Sequence, residues 1–134
     1  MKSKCAPDSL AEPTHDEILS TPRYRLDMKF RVRLFHVHPL TVVLLTELAD
    51  NPGCSITNGI EDARRAVLHR WPELNPARLV LVEHYDSSSY PPSRRRETIE
   101  ESFDLVTFSP EDLQPRWQRI SKRSLEALLG AKLP

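Results

Sequence analysis

The sequence predicts an α+β fold: a four-stranded, mostly antiparallel sheet packed on one central helix, with a short helix near the carboxyl end. Three observations predict this fold. Four segments carry the alternating or β-branched apolar residues that are typical of strands. One segment carries apolar residues at helical spacing, and turn signals rich in proline or glycine separate the segments. The predicted order is strand, strand, helix, strand, strand, helix.

The chain begins with a polar stretch, residues 1–21, that contains prolines and no periodic apolar face. We predict that it is a flexible leader and that residues 22–134 form a single domain, a length sufficient for a real core. The 19 basic and 19 acidic residues cancel, so only local clusters of charge can indicate a partner. No segment reads as a membrane span or a secretion signal, and Cys5 and Cys54 form no evident framework. The sequence therefore predicts a reduced, cytoplasmic protein.

The first predicted strand lies in "RYRLDMKFRVRLF", residues 23–35. Its even-numbered positions are apolar, and cations occupy most of the odd-numbered ones. Because successive side chains of a strand point to opposite faces, we expect the even positions to enter the core and the cations to line the outer face. The row consists of Arg23, Arg25, Lys29, Arg31 and Arg33.

The next two elements are a strand and the central helix. "LTVVLLTELAD" (40–50) is apolar on both faces, which predicts a central strand. In the helix, Ile60, Ala63, Val67 and either Arg70 or Trp71 form one stripe. Asn58 with Glu61 can form a capping box, Thr57 is an alternative cap, and Pro72 ends the helix.

The remaining elements follow a short turn. "RLVLVEHYD" (78–86) and "SFDLVTF" (102–108) read as the third and fourth strands. "SPED" (109–112) has the residue order that opens a helix. A short helix is predicted in "ISKRSLEALLG" (120–130), with Ser121 as its cap and a glycine at its end. The resulting ββαββα order is similar to that of a ubiquitin-like β-grasp.

The cation row suggests the first of two functions. Alternate strand residues lie roughly 6.5 to 7 Å apart, close to the spacing of phosphates along a nucleic-acid strand. The row can also contact an acidic protein, protect a strand edge, or be neutralised by cross-strand carboxylates. The carboxylates that follow Arg94–Arg96 in "RRRETIEE" indicate self-neutralisation of that run. We expect a non-catalytic module that binds a protein or a nucleic acid through this face, with no cofactor and no membrane contact.

The alternative is a metal- or histidine-dependent hydrolase. His36 and His38 share one strand face and can chelate a metal ion, with His84 or Cys54 as a third ligand. Glu83 or Asp104 would be the base. Cys54, just before a helix, is also a candidate nucleophile with His84 or His36 as its base.

Adjacent polar residues in "EHYD" must diverge on a strand. Glu83 and Tyr85 share one face, and His84 and Asp86 share the other. Asp104 can lie near either pair, depending on the register of the hairpin. Asn58 and its neighbours near the helix start can bind an anion through free backbone N–H groups, although capping alone explains them.

The stretches "SITNGIE", "EHYD" and "ESFDLVTF", followed by a tryptophan and "LEALLG", resemble a group of small uncharacterised bacterial proteins. The likeness covers roughly residues 40–130 and excludes the cation row. It implies a bacterial origin and one compact domain, but no activity, cofactor or partner. It also implies that Asn58, Glu83, His84 and Asp104 belong to a shared site.

Overall fold

The computed structural model describes residues 10–23, 26–48, 56–94, 101–109, 111 and 113–133. This part of the chain contains six strands and two α-helices, in the order βββαβββα. The strands are β1 (His15–Arg23), β2 (Leu26–Val37), β3 (Leu40–Glu47), β4 (Leu79–Asp86), β5 (Glu101–Phe108) and β6 (Pro115–Ile120). The helices are α1 (Ile60–Arg70) and α2 (Lys122–Leu129).

The strands form one sheet in which their spatial order equals their order in the chain. Neighbouring strands are antiparallel except β3 and β4, which are parallel. The parallel pair arises because α1 carries the chain back to the same end of the sheet before β4 begins. The α+β class is confirmed. The prediction of four strands in ββαββα order is wrong, because the mixed sheet contains six strands and the order is βββαβββα.

One core lies between the sheet and α1. Met28, Phe30, Val32 and Leu34 of β2 are fully buried there, as the alternating pattern predicted. They pack with the α1 stripe, whose last member is Trp71 and not Arg70. We call this side of the sheet the α1 face.

A second core lies on the opposite side, which we call the α2 face. Phe35, Leu44, Val82 and Phe103 pack there with Leu125 of α2. The predicted ends of α2 are confirmed: the Ser121 hydroxyl accepts a bond from the Ser124 amide, and Gly130 adopts a left-handed conformation with φ 75°. Since α2 is only eight residues long, part of this face stays open to polar side chains.

Two strands were not predicted. Strand β1 begins within the predicted flexible leader. It was not predicted because its apolar residues are too few to form a clear alternating pattern. No described residue of "SPED" is helical; the Leu113 amide donates to the Ser109 carbonyl in a single turn, and Pro115 then opens β6. The N-cap of α1 is also different: it is Gly59, with no side-chain cap, in place of Asn58 or Thr57.

Among the described residues, no helix has both the length and the apolar character needed to cross a membrane.

Candidate functional site

The cation row lies on the α2 face, opposite the α1 core. Arg31 forms a two-point ion pair with Asp16 on the neighbouring strand, at 2.9 and 2.7 Å. Arg33 is only 7% exposed, so the prediction that it faces solvent is wrong. The prediction assumed that this whole face is open to solvent, but a second core covers part of it, and Arg33 lies beside that core and bonds Thr46. The side chain of Arg23 and all of Arg25 lie outside the described residues.

Arg33 instead begins a polar chain that crosses four strands. Its guanidinium donates to the Thr46 hydroxyl at 3.4 Å. Thr46 lies 3.1 Å from Nδ1 of His84, and Nε2 of His84 lies 3.0 Å from Glu101. An ionised carboxylate can only accept, so with Glu101 ionised the proton of a neutral His84 resides on Nε2. Nδ1 then accepts from Thr46, whose oxygen accepts from Arg33.

The end of this polar chain that contains His84 and Glu101 has the residue types of a metal centre. His84 and Asp86 alternate along β4, and Asp86 pairs directly with Glu101 of β5. One ligand atom from each of the three residues lies within 4.8 Å of the other two. Two ligands about 2.1 Å from one tetrahedral ion are about 3.4 Å apart, so the hydrogen-bonded His84–Glu101 pair at 3.0 Å needs to separate only slightly to hold an ion.

The surroundings hold His84 and Asp86 in place. The imidazole of His84 stacks on the Phe103 ring, with centroids 4.6 Å apart and planes 2° from parallel. Oδ1 of Asp86 accepts from the amide and hydroxyl of Ser88, at 3.0 and 2.7 Å. Such outer contacts orient ligands and reduce the entropy lost on binding an ion.

Burial favours the unprotonated imidazole of His84. Burial lowers the pKa of His84, although its hydrogen bond to Glu101 acts in the opposite direction. Burial also lowers the pKa of the Arg33 guanidinium, and the nearby charge of Arg31 adds to the effect. Nε of Arg33 is buried without a hydrogen-bond partner. A neutral histidine beside two carboxylates is a suitable ligand set for a cation.

A second polar cluster lies on the α1 face, directly behind His84. Both carboxylate oxygens of Glu83 accept bonds, one from Thr57 at 2.6 Å and one from the Trp117 indole at 3.2 Å. Asp104 pairs with Glu83 across the strands and binds Arg119 at 2.7 Å. Since these acceptors are satisfied, the cluster chiefly ties the start of α1 and strand β6 to the sheet.

Glu83 should make folding stability depend on pH. Burial raises the pKa of Glu83 above its ordinary value of 4.5, the Thr57 bond lowers it in part, and the charge of Asp104 raises it further. The folded protein therefore binds this proton more tightly than the unfolded chain does. The contribution of Glu83 to stability is present in full below pH 4.5 and is lost as the pH rises through the raised pKa.

We expect Glu83→Gln, which carries no charge at any pH, to lose less stability than the wild type between about pH 4 and pH 7. Urea midpoints measured across this range would show the difference. Identical pH profiles for the two proteins would contradict the assignment of a raised pKa to Glu83.

The other predicted residues do not join either cluster. His36 is exposed, lies on the α1 face and bonds Thr41, whereas His84 lies on the α2 face near the opposite ends of the strands. His38 is exposed in the turn between β2 and β3. The structure therefore does not bring His36 and His84 together, as the hydrolase alternative with His36, His38 and His84 required. Asn58 precedes α1 and is exposed. Cys5, Cys54, Arg95, Arg96 and the side chain of Arg94 lie outside the described residues.

Sequence reasoning missed three members of the His84 site: Thr46, Asp86 as a ligand, and Glu101. Asp86 shares the parity of His84, so the pattern already placed the two on one face. Glu101 lies just before the predicted fourth strand (102–108), and its position opposite Asp86 depends on the hairpin register. Thr46 is near His84 only because β3 and β4 are parallel neighbours.

The fold and site thus define an α+β protein with a mixed sheet and a histidine–carboxylate cluster on its α2 face. No family model, curated protein sequence or solved structure matches the chain. The resemblance to small bacterial proteins stays a prediction.

Proposed function

We propose that the protein binds a divalent transition-metal ion through Nε2 of His84 and the carboxylates of Asp86 and Glu101. The proposal depends on one observation: these three ligand atoms lie within 4.8 Å of one another on adjacent strands. Metal binding at Nε2 would move its proton to Nδ1, which would then donate to Thr46. Lys122, 3.9 Å from Glu101, offsets part of the negative charge and limits the affinity.

The ligand set also indicates which ions should bind. Imidazole with carboxylates suits Zn²⁺ and Mn²⁺ better than Mg²⁺, which prefers oxygen ligands and retains its water. Three protein ligands leave a coordination position open for water or an anion. A metal-dependent hydrolase remains compatible with this site through His84, whereas Glu83 and Asp104 project from the opposite face.

The direct test is calorimetric titration of chelator-treated protein with Zn²⁺, Mn²⁺ and Mg²⁺. We expect saturable binding of about one Zn²⁺ or Mn²⁺ per chain and much weaker binding of Mg²⁺. The proposal would be contradicted if none of the three ions bound saturably.

A second candidate function is the macromolecular interaction that the cation row suggested. Ile18 of β1 is 62% exposed on the open part of the α2 face, beside Arg31, Lys29 and Asp16. The mixture of both charge signs on this surface supports a protein partner more than a nucleic acid, which binds surfaces rich in cations. The pairing of Arg31 with Asp16 and the burial of Arg33 reduce the charge available to phosphates.

We therefore expect the protein to bind a short DNA duplex weakly or not at all, even at low salt. Fluorescence anisotropy at two salt concentrations measures this. Tight binding that weakens steeply as salt rises would instead show that cations of this chain contact phosphates.

A further inference from the structure

The ladder between β4 and β5 ends before either strand does. Its last pair is Leu81 with Val106, although β4 begins at Leu79 and β5 continues to Phe108. Beyond that pair, Leu79 and Val80 pair with β3 but not with β5, and the end of β5 pairs with β6 but not with β4. The two strands diverge here, and a cleft of about 510 Å³ opens between them.

The walls of the cleft are mostly apolar. Leu79 and Leu81 line one side, Val106 and Phe108 line the other, and Pro76 closes one end. Its volume is typical of sites for small organic molecules. The strand edges that face each other across the cleft have left the ladder, so their main-chain groups there can bond to a ligand.

One positively charged side chain, that of Arg64, lines this cleft. The guanidinium carbon of Arg64, on α1, lies 5.3 Å from the centre of the Phe108 ring. Within the described part of the chain no carboxylate forms an ion pair with Arg64, whereas Arg65 pairs with Asp62 and Arg70 pairs with Glu17. An adjoining smaller recess, lined by Glu61, Arg65 and Leu113, shares the Arg64 and Phe108 walls.

We propose that this cleft binds a small amphipathic carboxylate, whose apolar body lies between the diverging strands and whose carboxylate pairs with Arg64. Burial of the apolar body supplies most of the affinity. The guanidinium, already positioned over Phe108, supplies the preference for an anion. The site is separate from the His84 cluster and does not depend on the metal ion.

Octanoate and 1-octanol, used below their aggregation limits, test the proposal by amide chemical-shift titration. We expect octanoate to perturb Val80 and Thr107 saturably and to bind more tightly than octanol. Arg64→Gln should weaken octanoate binding about tenfold and leave octanol binding unchanged. Arg70→Gln is the matched control, since it removes the same charge from the same helix at a position that lines neither recess; the octanoate affinity of this variant should stay within about twofold of the wild type.

A variant that fills the cleft gives an independent measurement. Ala77→Trp, at the exposed rim, should abolish binding of both probes while the spectrum of the folded protein persists. The proposal is overturned by any of three results: no saturable binding, shifts confined to other parts of the protein, or equal loss of octanoate affinity in the Arg64 and Arg70 variants.

Discussion

His84→Ala is expected to weaken binding of Zn²⁺ or Mn²⁺ by at least about 100-fold. His84 contributes the only nitrogen ligand of the proposed centre, and its position between Thr46 and Glu101 aligns that nitrogen before the ion arrives. Without the imidazole, two carboxylates remain, and one of them is already near Lys122. Calorimetric titration of the variant beside the wild type measures the loss.

Two further variants make this result specific. His36→Ala removes an exposed histidine on the other face and should leave the affinity unchanged. Glu101→Gln keeps the shape of a half-exposed side chain, so the variant should fold normally. Its affinity for the ion should nevertheless fall by at least about tenfold. Wild-type affinity in both His84→Ala and Glu101→Gln would exclude this cluster as the metal site.

Phe30→Ala is expected to lower the free energy of unfolding by about 3–5 kcal/mol. The Phe30 ring is 0% exposed and lies in the core between β2 and α1. Truncation removes its buried apolar surface and leaves a cavity that the rigid sheet cannot fill. Urea denaturation should show a lower midpoint with an unchanged slope.

Ile18→Ala is the matched control for this substitution. Ile18 also lies on a strand of the same sheet, but it is 62% exposed, so its truncation should change stability by less than about 0.5 kcal/mol. If the two substitutions destabilised the protein equally, the conclusion that Phe30 of β2 points into the core would be contradicted.

Several features of the fold follow from local pattern. The period of two in β2 placed Met28, Phe30, Val32 and Leu34 in the core, because the pleat alone decides which side chains share a face. The ends of α2 were also predictable, since Ser121 and Gly130 act on backbone groups within one turn. The alternation of side chains along β4 likewise placed Glu83 and His84 on opposite faces of the sheet.

Other features depend on which strands become neighbours. The pattern of β2 is the same at Arg31 and Arg33, yet Arg31 meets Asp16 at the open part of the sheet and Arg33 is enclosed beside Thr46. The His84 site likewise requires the parallel pairing of β3 with β4 and the register that sets Asp86 opposite Glu101.

The sequence by itself therefore determined the periodicity of the strands, the α1 stripe and the facing of individual side chains. Only the tertiary structure decided the strand order, the burial of Arg33 and the convergence on His84. The physical reason is that side-chain direction is set by backbone geometry within a few residues. Proximity between distant strands is set by how the whole chain satisfies its main-chain bonds and buries its apolar faces together.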